Sequence, residues 1–153
     1  MKRRTALGLL LSLILPRIAW GRASPEDAQA MVHKAIELCR ERGRDVAMRE
    51  ISRADGPFVS GELYVTVHAL DGMCLADIDS TKVGHYMWME HDPDDRYFTR
   101  DRLQAAKEGP SGWQEYKQLS PVSHRMQLKR TYWERYQDLV FACGFYKSLM
   151  STM

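Results

Sequence analysis

The stretch LKRTYWERYQDLVFACGFYK, Leu128 to Lys147, decides the fold. Tyr, Trp, Phe, Val and Thr suit a pleated, half-buried surface. Gln137-Asp138 supplies a polar turn between a charged, aromatic run and an apolar one, so the stretch predicts an antiparallel hairpin. It lies close to the C-terminus. The upstream elements must therefore be built to receive it.

Working back along the chain, Gly112 to Leu119 (GWQEYKQL) predicts another strand, broken by Pro121. Thr99 is expected to cap a helix from Arg100 to Glu108, stopped by Gly109-Pro110. Asp77 to Pro93 carries turn residues and scattered aromatics and reads as irregular, with short helical turns. Leu63 to Leu70 alternates, with Leu63, Val65 and Val67 on one side and Tyr64, Thr66 and His68 on the other. Asp71-Gly72 is a strong hairpin signal, and Met73 to Ala76 is the returning strand.

Ser24-Pro25-Glu26-Asp27 marks a helix start: an N-cap serine, proline in the first turn, then acids. Ala28, Met31, Val32, Ala35, Ile36 and Cys39 form one apolar stripe. Gly43 interrupts, Asp45 is expected to re-cap, and the helix runs on to the Asp55-Gly56-Pro57 stop. A long, broken helix with one apolar side fits as the cover of a sheet face. The element order gives an α+β fold with a five-stranded antiparallel sheet.

The chain has 153 residues, 44% hydrophobic and 27% charged, which suits one globular domain. The net charge of +2 misleads, because five basic and no acidic residues fall within the first 23 positions. The remainder has 17 basic and 20 acidic residues, a net charge of −3, which argues against a nucleic-acid partner. Lys2-Arg3-Arg4, the apolar run Ala6 to Leu15 and Gly21-Arg22-Ala23 read as a secretory signal peptide over residues 1–23. The apolar run is about ten residues, short of the roughly 20 that span a bilayer. Arg3-Arg4 leaves general secretion and twin-arginine export both open. Residues 24–153 are then the domain, expected to be soluble and periplasmic or secreted.

These pieces together resemble the single Cache domain, an extracytoplasmic relative of the PAS fold that senses small molecules in bacteria. The resemblance is carried by Leu63-Tyr64-Val65 leading to Asp71-Gly72 and Leu75-Ala76, then by Val83-Gly84 and Asp95 to Phe98. It continues through Gly112-Trp113-x-x-Tyr116, Lys129-x-x-Tyr132 and Cys143-Gly144-Phe145-Tyr146. It implies a PAS-like sheet with a long N-terminal helix on one face and short helices and a small-ligand pocket on the other. The family usually sits in receptors between two membrane helices. This chain ends six residues after Lys147, so the expectation is a free-standing exported form.

Lys129, one cation among aromatics, could hold a carboxylate as a compact point charge, whereas the plainer reading is a solvated strand lysine. Tyr132, Trp113 and Tyr116 could wall an apolar pocket and offer polar donors, or could simply pack a core. Lys129 and Tyr132 are three residues apart, as are Trp113 and Tyr116, so in regular strands the members of each pair face opposite ways. Either a bulge intervenes or one member of each pair meets the ligand. His68 could donate to a bound acid, and Tyr64 shares its side of the strand. Tyr146 closes the family's final motif, and Gly144 could leave room for a ligand or fit a bend.

Other chemistry is weaker. His91-Asp92-Pro93-Asp94-Asp95-Arg96 lacks the glycine of a calcium loop and reads as an acidic turn. Ser123-His124 and Cys143 show no partner arrangement for nucleophilic catalysis. In a PAS-like sheet Cys74 and Cys143 fall about 9 to 10 Å apart, across the Leu63 strand. That exceeds the roughly 7 Å limit for a disulfide, so buried, reduced cysteines are expected, with Cys39 able to reach either. The nine methionines read as packing. The expectation is an exported, non-catalytic sensor for a small organic acid, with no cofactor or metal, that hands its ligand or signal to a membrane receptor or transporter. The alternatives are a small exported enzyme using Cys143 or the His91/Asp94 cluster, and a structural interaction module.

Overall fold

Ser24 caps the first helix: its side chain accepts from the Asp27 backbone and Asp27 answers to the Ser24 N–H, a reciprocal box with Pro25 at the first turn. The computed structural model describes residues 22–147. The signal-peptide reading therefore falls almost wholly outside the described residues. Helix α1 (Pro25–Arg42) buries Ala28, Val32, Ala35, Ile36 and Cys39, the stripe that the spacing predicts. Gly43, at φ 84°, breaks the helix, and α2 (Arg44–Ile51) continues it. Asp45 does not cap α2; the cap position is Gly43, without a side-chain hydrogen bond, and Asp45 lies in the first turn.

Six strands follow: β1 (Val59–Ser60), β2 (Leu63–Ala69), β3 (Cys74–Ala76), β4 (Ser111–Leu119), β5 (Met126–Tyr136) and β6 (Leu139–Tyr146). All pairings are antiparallel, in the order β1-β2-β6-β5-β4, with β3 also on β2. The β5–β6 hairpin turns at Gln137-Asp138, with Gln137 at φ 56°. β2 lies between β3 and β6, as the Asp71-Gly72 turn and the PAS-like resemblance imply. The two-residue β1 has no sequence signal long enough to find.

Helix α3 (Phe98–Glu108) starts two residues before the expected Arg100, so Thr99 is inside the first turn and buried, not a cap. The reason is Phe98, which stacks on Tyr116 with ring centroids 4.1 Å apart and draws the start of the helix onto the sheet. α1 and α2 cover one sheet face, where Val65, Val67, Leu139, Phe141, Cys143 and Tyr132 join the helical stripe in the main core. α3 and the irregular segment 77–97 cover the other.

Candidate functional site

Strand alternation builds the second face. Tyr64, Thr66 and His68 of β2 project there, with Ala142 and Gly144 of β6, Lys129 and Thr131 of β5, and Tyr116 and Gln118 of β4. α3 adds Phe98, Thr99 and Arg102, and the crossover adds Asp77, Lys82 and Glu90. Together they line a partly open cavity with about 20 Å³ of free space, about what one water needs.

The β4–β5 register is unbroken from Ser111↔Glu134 to Leu119↔Met126. No bulge intervenes, and one member of each motif pair reaches this face. Lys129 and Tyr116 are directly cross-strand and line the cavity. Tyr132 and Trp113 are also cross-strand partners, but on the helix-covered face, their rings 5.2 Å apart. Those two do not line the cavity. Tyr64 and His68 line it. Tyr146 borders it: its ring lies 5.3 Å from the Lys129 ammonium and its hydroxyl donates to the Leu119 carbonyl at 3.0 Å.

Lys129 is 3% exposed. Its ammonium donates to Gln118 Oε1 at 3.0 Å and sits 4.0 Å from the centre of the Tyr64 ring. No carboxylate among the described residues comes within ion-pairing distance of it. Burial lowers its pKa; Arg102 acts the same way, against Tyr116, Cys143 and Asp77. Gly144 makes room for it, because a Cβ there would stand 2.7 Å from Lys129 Cε and would collide with Thr131 Oγ1.

Arg102, 4% exposed, is likewise without a carboxylate partner. Its Nε donates to Gln114 Oε1 at 2.7 Å and its Nη2 to Tyr116 Oη at 3.4 Å, and Thr131 Oγ1 donates to that hydroxyl at 3.1 Å. His68 Nδ1 is buried without a hydrogen-bond partner. Burial first, then Arg102 and Lys82, lowers the His68 pKa to about 3, so the ring is neutral at pH 7. Burial raises the Asp77 carboxyl above its usual range, against the Asp79 N–H, Lys82 and Lys129. Lys82 is tied to Glu90 at 2.6 Å.

The residues named for other chemistry are otherwise engaged. Cys39, Cys74 and Cys143 are buried and free. Cys143 packs in the main core, and burial pushes its thiol up to about 12. Asp92 accepts from the backbone of Asp94, Arg96 and Lys117, and Asp94 pairs with Lys117 Nζ at 2.8 Å. His91 Nδ1 bonds to the Asp92 carbonyl oxygen at 2.9 Å. The acidic turn thus fastens the crossover to β4.

Sequence reasoning missed Arg102, Thr131, Gln118, Thr99, Asp77, Lys82 and Glu90. Thr131 and Gln118 follow by parity from Lys129 and Tyr116. Arg102 shares a helical face with Phe98, Thr99, Leu103 and Ala106, and a cation on a buried stripe is itself a signal. Asp77, Lys82 and Glu90 sit on irregular chain, where no period says which way a side chain points.

Solved structures that share this fold include the following three. A methyl-accepting chemotaxis protein from Vibrio parahaemolyticus RIMD 2210633 superposes at a TM-score of 0.68 and 14% identity, covering 79% of this chain and 86% of that one. A Cache chemosensory domain, described for its carboxylic acid recognition, superposes at 0.64 and 18% identity, covering 80% and 88%. A periplasmic sensor domain of a chemotaxis protein does so at 0.62 and 19%, covering 80% and 90%. Among curated proteins, none matches the sequence. The family model for single Cache domain 2 matches residues 11–148, and with the sheet, helices and polar cavity in hand, the chain belongs to the single Cache domain 2 family.

Proposed function

We propose that this chain is an exported sensor domain that binds a short organic acid in the cavity beneath α3, without chemical turnover. The observation that carries this is the pair of buried cations, Lys129 and Arg102, each with only neutral hydrogen-bonding partners among the described residues. An unpaired buried charge is costly. A carboxylate between neutral Gln118, Tyr116 and Thr131 groups relieves that cost and gains charge-assisted hydrogen bonds. The likeness to a Cache domain that recognises carboxylic acids points the same way. The small free volume means that α3 and the crossover must give way as the acid enters, which is the movement a sensor can pass to a membrane receptor or transporter.

Catalysis has no support from side-chain chemistry. The Cys143 thiol, pushed up to about 12, is not a nucleophile at neutral pH, and the His91–Asp94 turn is spent on holding the crossover. Export rests on the signal-peptide reading of residues 1–23, and N-terminal sequencing of secreted material tests it. The ligand is tested by thermal shift of residues 24–153 against linear acids of two to five carbons, followed by calorimetry and product analysis. One acid bound per chain and recovered unchanged is the expected result. Failure of every acid to raise the melting temperature, or its conversion to product, overturns the proposal.

A further inference from the structure

Leu119, Val122 and Met126 stand 54%, 57% and 48% exposed at the tip of the β4–β5 hairpin. Leu119 and Met126 are cross-strand partners, and Val122 lies in the turn between them. Scattered exposed apolar residues are ordinary, but several gathered at one tip mark a surface that something covers.

The sheet runs past its helices at this end. α1 follows β5, with His33 on Glu134 at 2.8 Å and the Arg40 guanidinium 5.4 Å from the centre of the Tyr136 ring. Pro25 precedes His33 by about 12 Å of helix, or roughly three to four residues of strand. α1 therefore begins near Arg130, whereas β5 continues to Met126. By alternation Met126 and Leu128 of β5, Leu119 of β4 and Phe145 of β6 face the side that α1 no longer covers.

The charges at this end are one-sided. From Ser120 to Met126 the tip carries His124 and Arg125 and no acid. The neighbouring acids are engaged: Glu115 with Lys147, Asp94 with Lys117, and Glu62 with the Ser120 hydroxyl. Arg125 and Arg130 are left without a carboxylate partner among the described residues, and the Arg130 guanidinium lies 4.8 Å from the centre of the Trp113 ring. Apolar tips beside free arginines and a tryptophan suit the boundary of an anionic bilayer, where apolar groups reach the acyl layer and cations meet phosphates. The apolar run Ala6 to Leu15 precedes α1, so in the leader reading export draws the chain to the membrane by this same end.

We propose that this end of the sheet docks on an anionic lipid bilayer, with Leu119, Val122 and Met126 entering the apolar boundary and Arg125 and Arg130 contacting headgroup phosphates. Docking needs no ligand in the cavity, so it stands apart from the acid reading.

The test is co-sedimentation of the mature chain, residues 24–153, with phosphatidylcholine vesicles and with vesicles in which about one-third of the lipid is phosphatidylglycerol. Wild-type protein should pellet with the anionic vesicles, and added salt should release it. Val122→Asp should lower the partition about tenfold or more, and Arg125→Glu about fivefold or more. Both changes fall on an exposed turn, and unaltered melting temperatures would show that the fold is intact. Met89→Asp is the control: it replaces another exposed apolar residue, next to Trp88 at the opposite end of the sheet, and should bind as wild type does. Absence of binding to anionic vesicles, equal binding to both vesicle types, or binding that survives Val122→Asp overturns the proposal. So does a dimer in analytical ultracentrifugation that Val122→Asp dissolves, because the tip would then be covered by a second copy.

Discussion

The same four strands present two unlike faces. Under α1 and α2 the residues are Val65, Val67, Leu139, Phe141 and Cys143, close-packed and apolar. Under α3 they are His68, Lys129, Thr131 and Tyr116, equally buried but polar, and bonded to one another sparsely. In β5, Thr131 and Tyr132 are neighbours in sequence and belong to different faces. Alternation lets one short strand serve two purposes. The apolar face supplies stability by removing surface from water. The polar face holds Lys129 and Arg102, two buried cations with no carboxylate partner among the described residues.

Substitutions on each face put that contrast at risk. The largest effect is expected from Phe141→Ala on the apolar face, a loss of about 3–5 kcal/mol in urea unfolding from transfer and cavity terms. A loss under about 1 kcal/mol would mean that this face is not where the stability resides. Next, Lys129→Met on the polar face should weaken acid binding tenfold to a hundredfold, about 1.4–2.8 kcal/mol. It should leave the fold as stable as before or more so, because an unpaired buried charge is replaced by an apolar chain of similar length. Lys129→Arg should restore binding poorly, since the planar fork needs different geometry. Wild-type affinity in Lys129→Met, read by calorimetry, would make Lys129 a structural residue.

The third effect is a slope with pH. The folded pKa of His68, about 3, lies below its ordinary 6.5, so between those values the unfolded chain binds the proton more readily. His68's contribution is complete above about pH 6.5 and is lost progressively as pH falls toward 3. The slope approaches at most about 1.4 kcal/mol per pH unit. His68→Gln should lose less stability than wild type between pH 7 and pH 5 in denaturant titrations. Parallel curves would show that the ring does not titrate with folding. Smallest of all, Glu37→Ala removes an exposed pair with Arg40 on the outer side of α1. It should change stability by less than about 0.5 kcal/mol. A larger change would mean that stability also depends on the solvent side.

The legible parts of this molecule are the local ones. The Ser24 cap, the α1 stripe, the break at Gly43 and the hairpin turn at Gln137-Asp138 each depend on a few adjacent residues. Parity alone separates Lys129 from Tyr132 and Trp113 from Tyr116, and Tyr132 and Trp113 fall on the apolar face because no bulge corrects them. The start of α3 departs from its cap signal at Thr99 because Phe98 stacks on Tyr116, a contact between residues 18 apart, which no local signal reports. Asp77, Lys82 and Glu90 were hidden for a related reason: the irregular segment is shaped by what it covers.

The acidic turn at Asp92 has a consequence for how these molecules behave toward one another. β4 is a nine-residue strand with a neighbour on one side only. Its outward Lys117 N–H is taken by the Asp92 carboxylate, and its outward Glu115 carbonyl by the Arg96 guanidinium. At the opposite border only the two-residue β1 and the three-residue β3 flank β2. A bare border of that kind is a template on which another chain can lay a strand and begin a fibril. Here one border is cut short and the other is occupied by side chains, so concentrated protein is shielded from joining sheet to sheet.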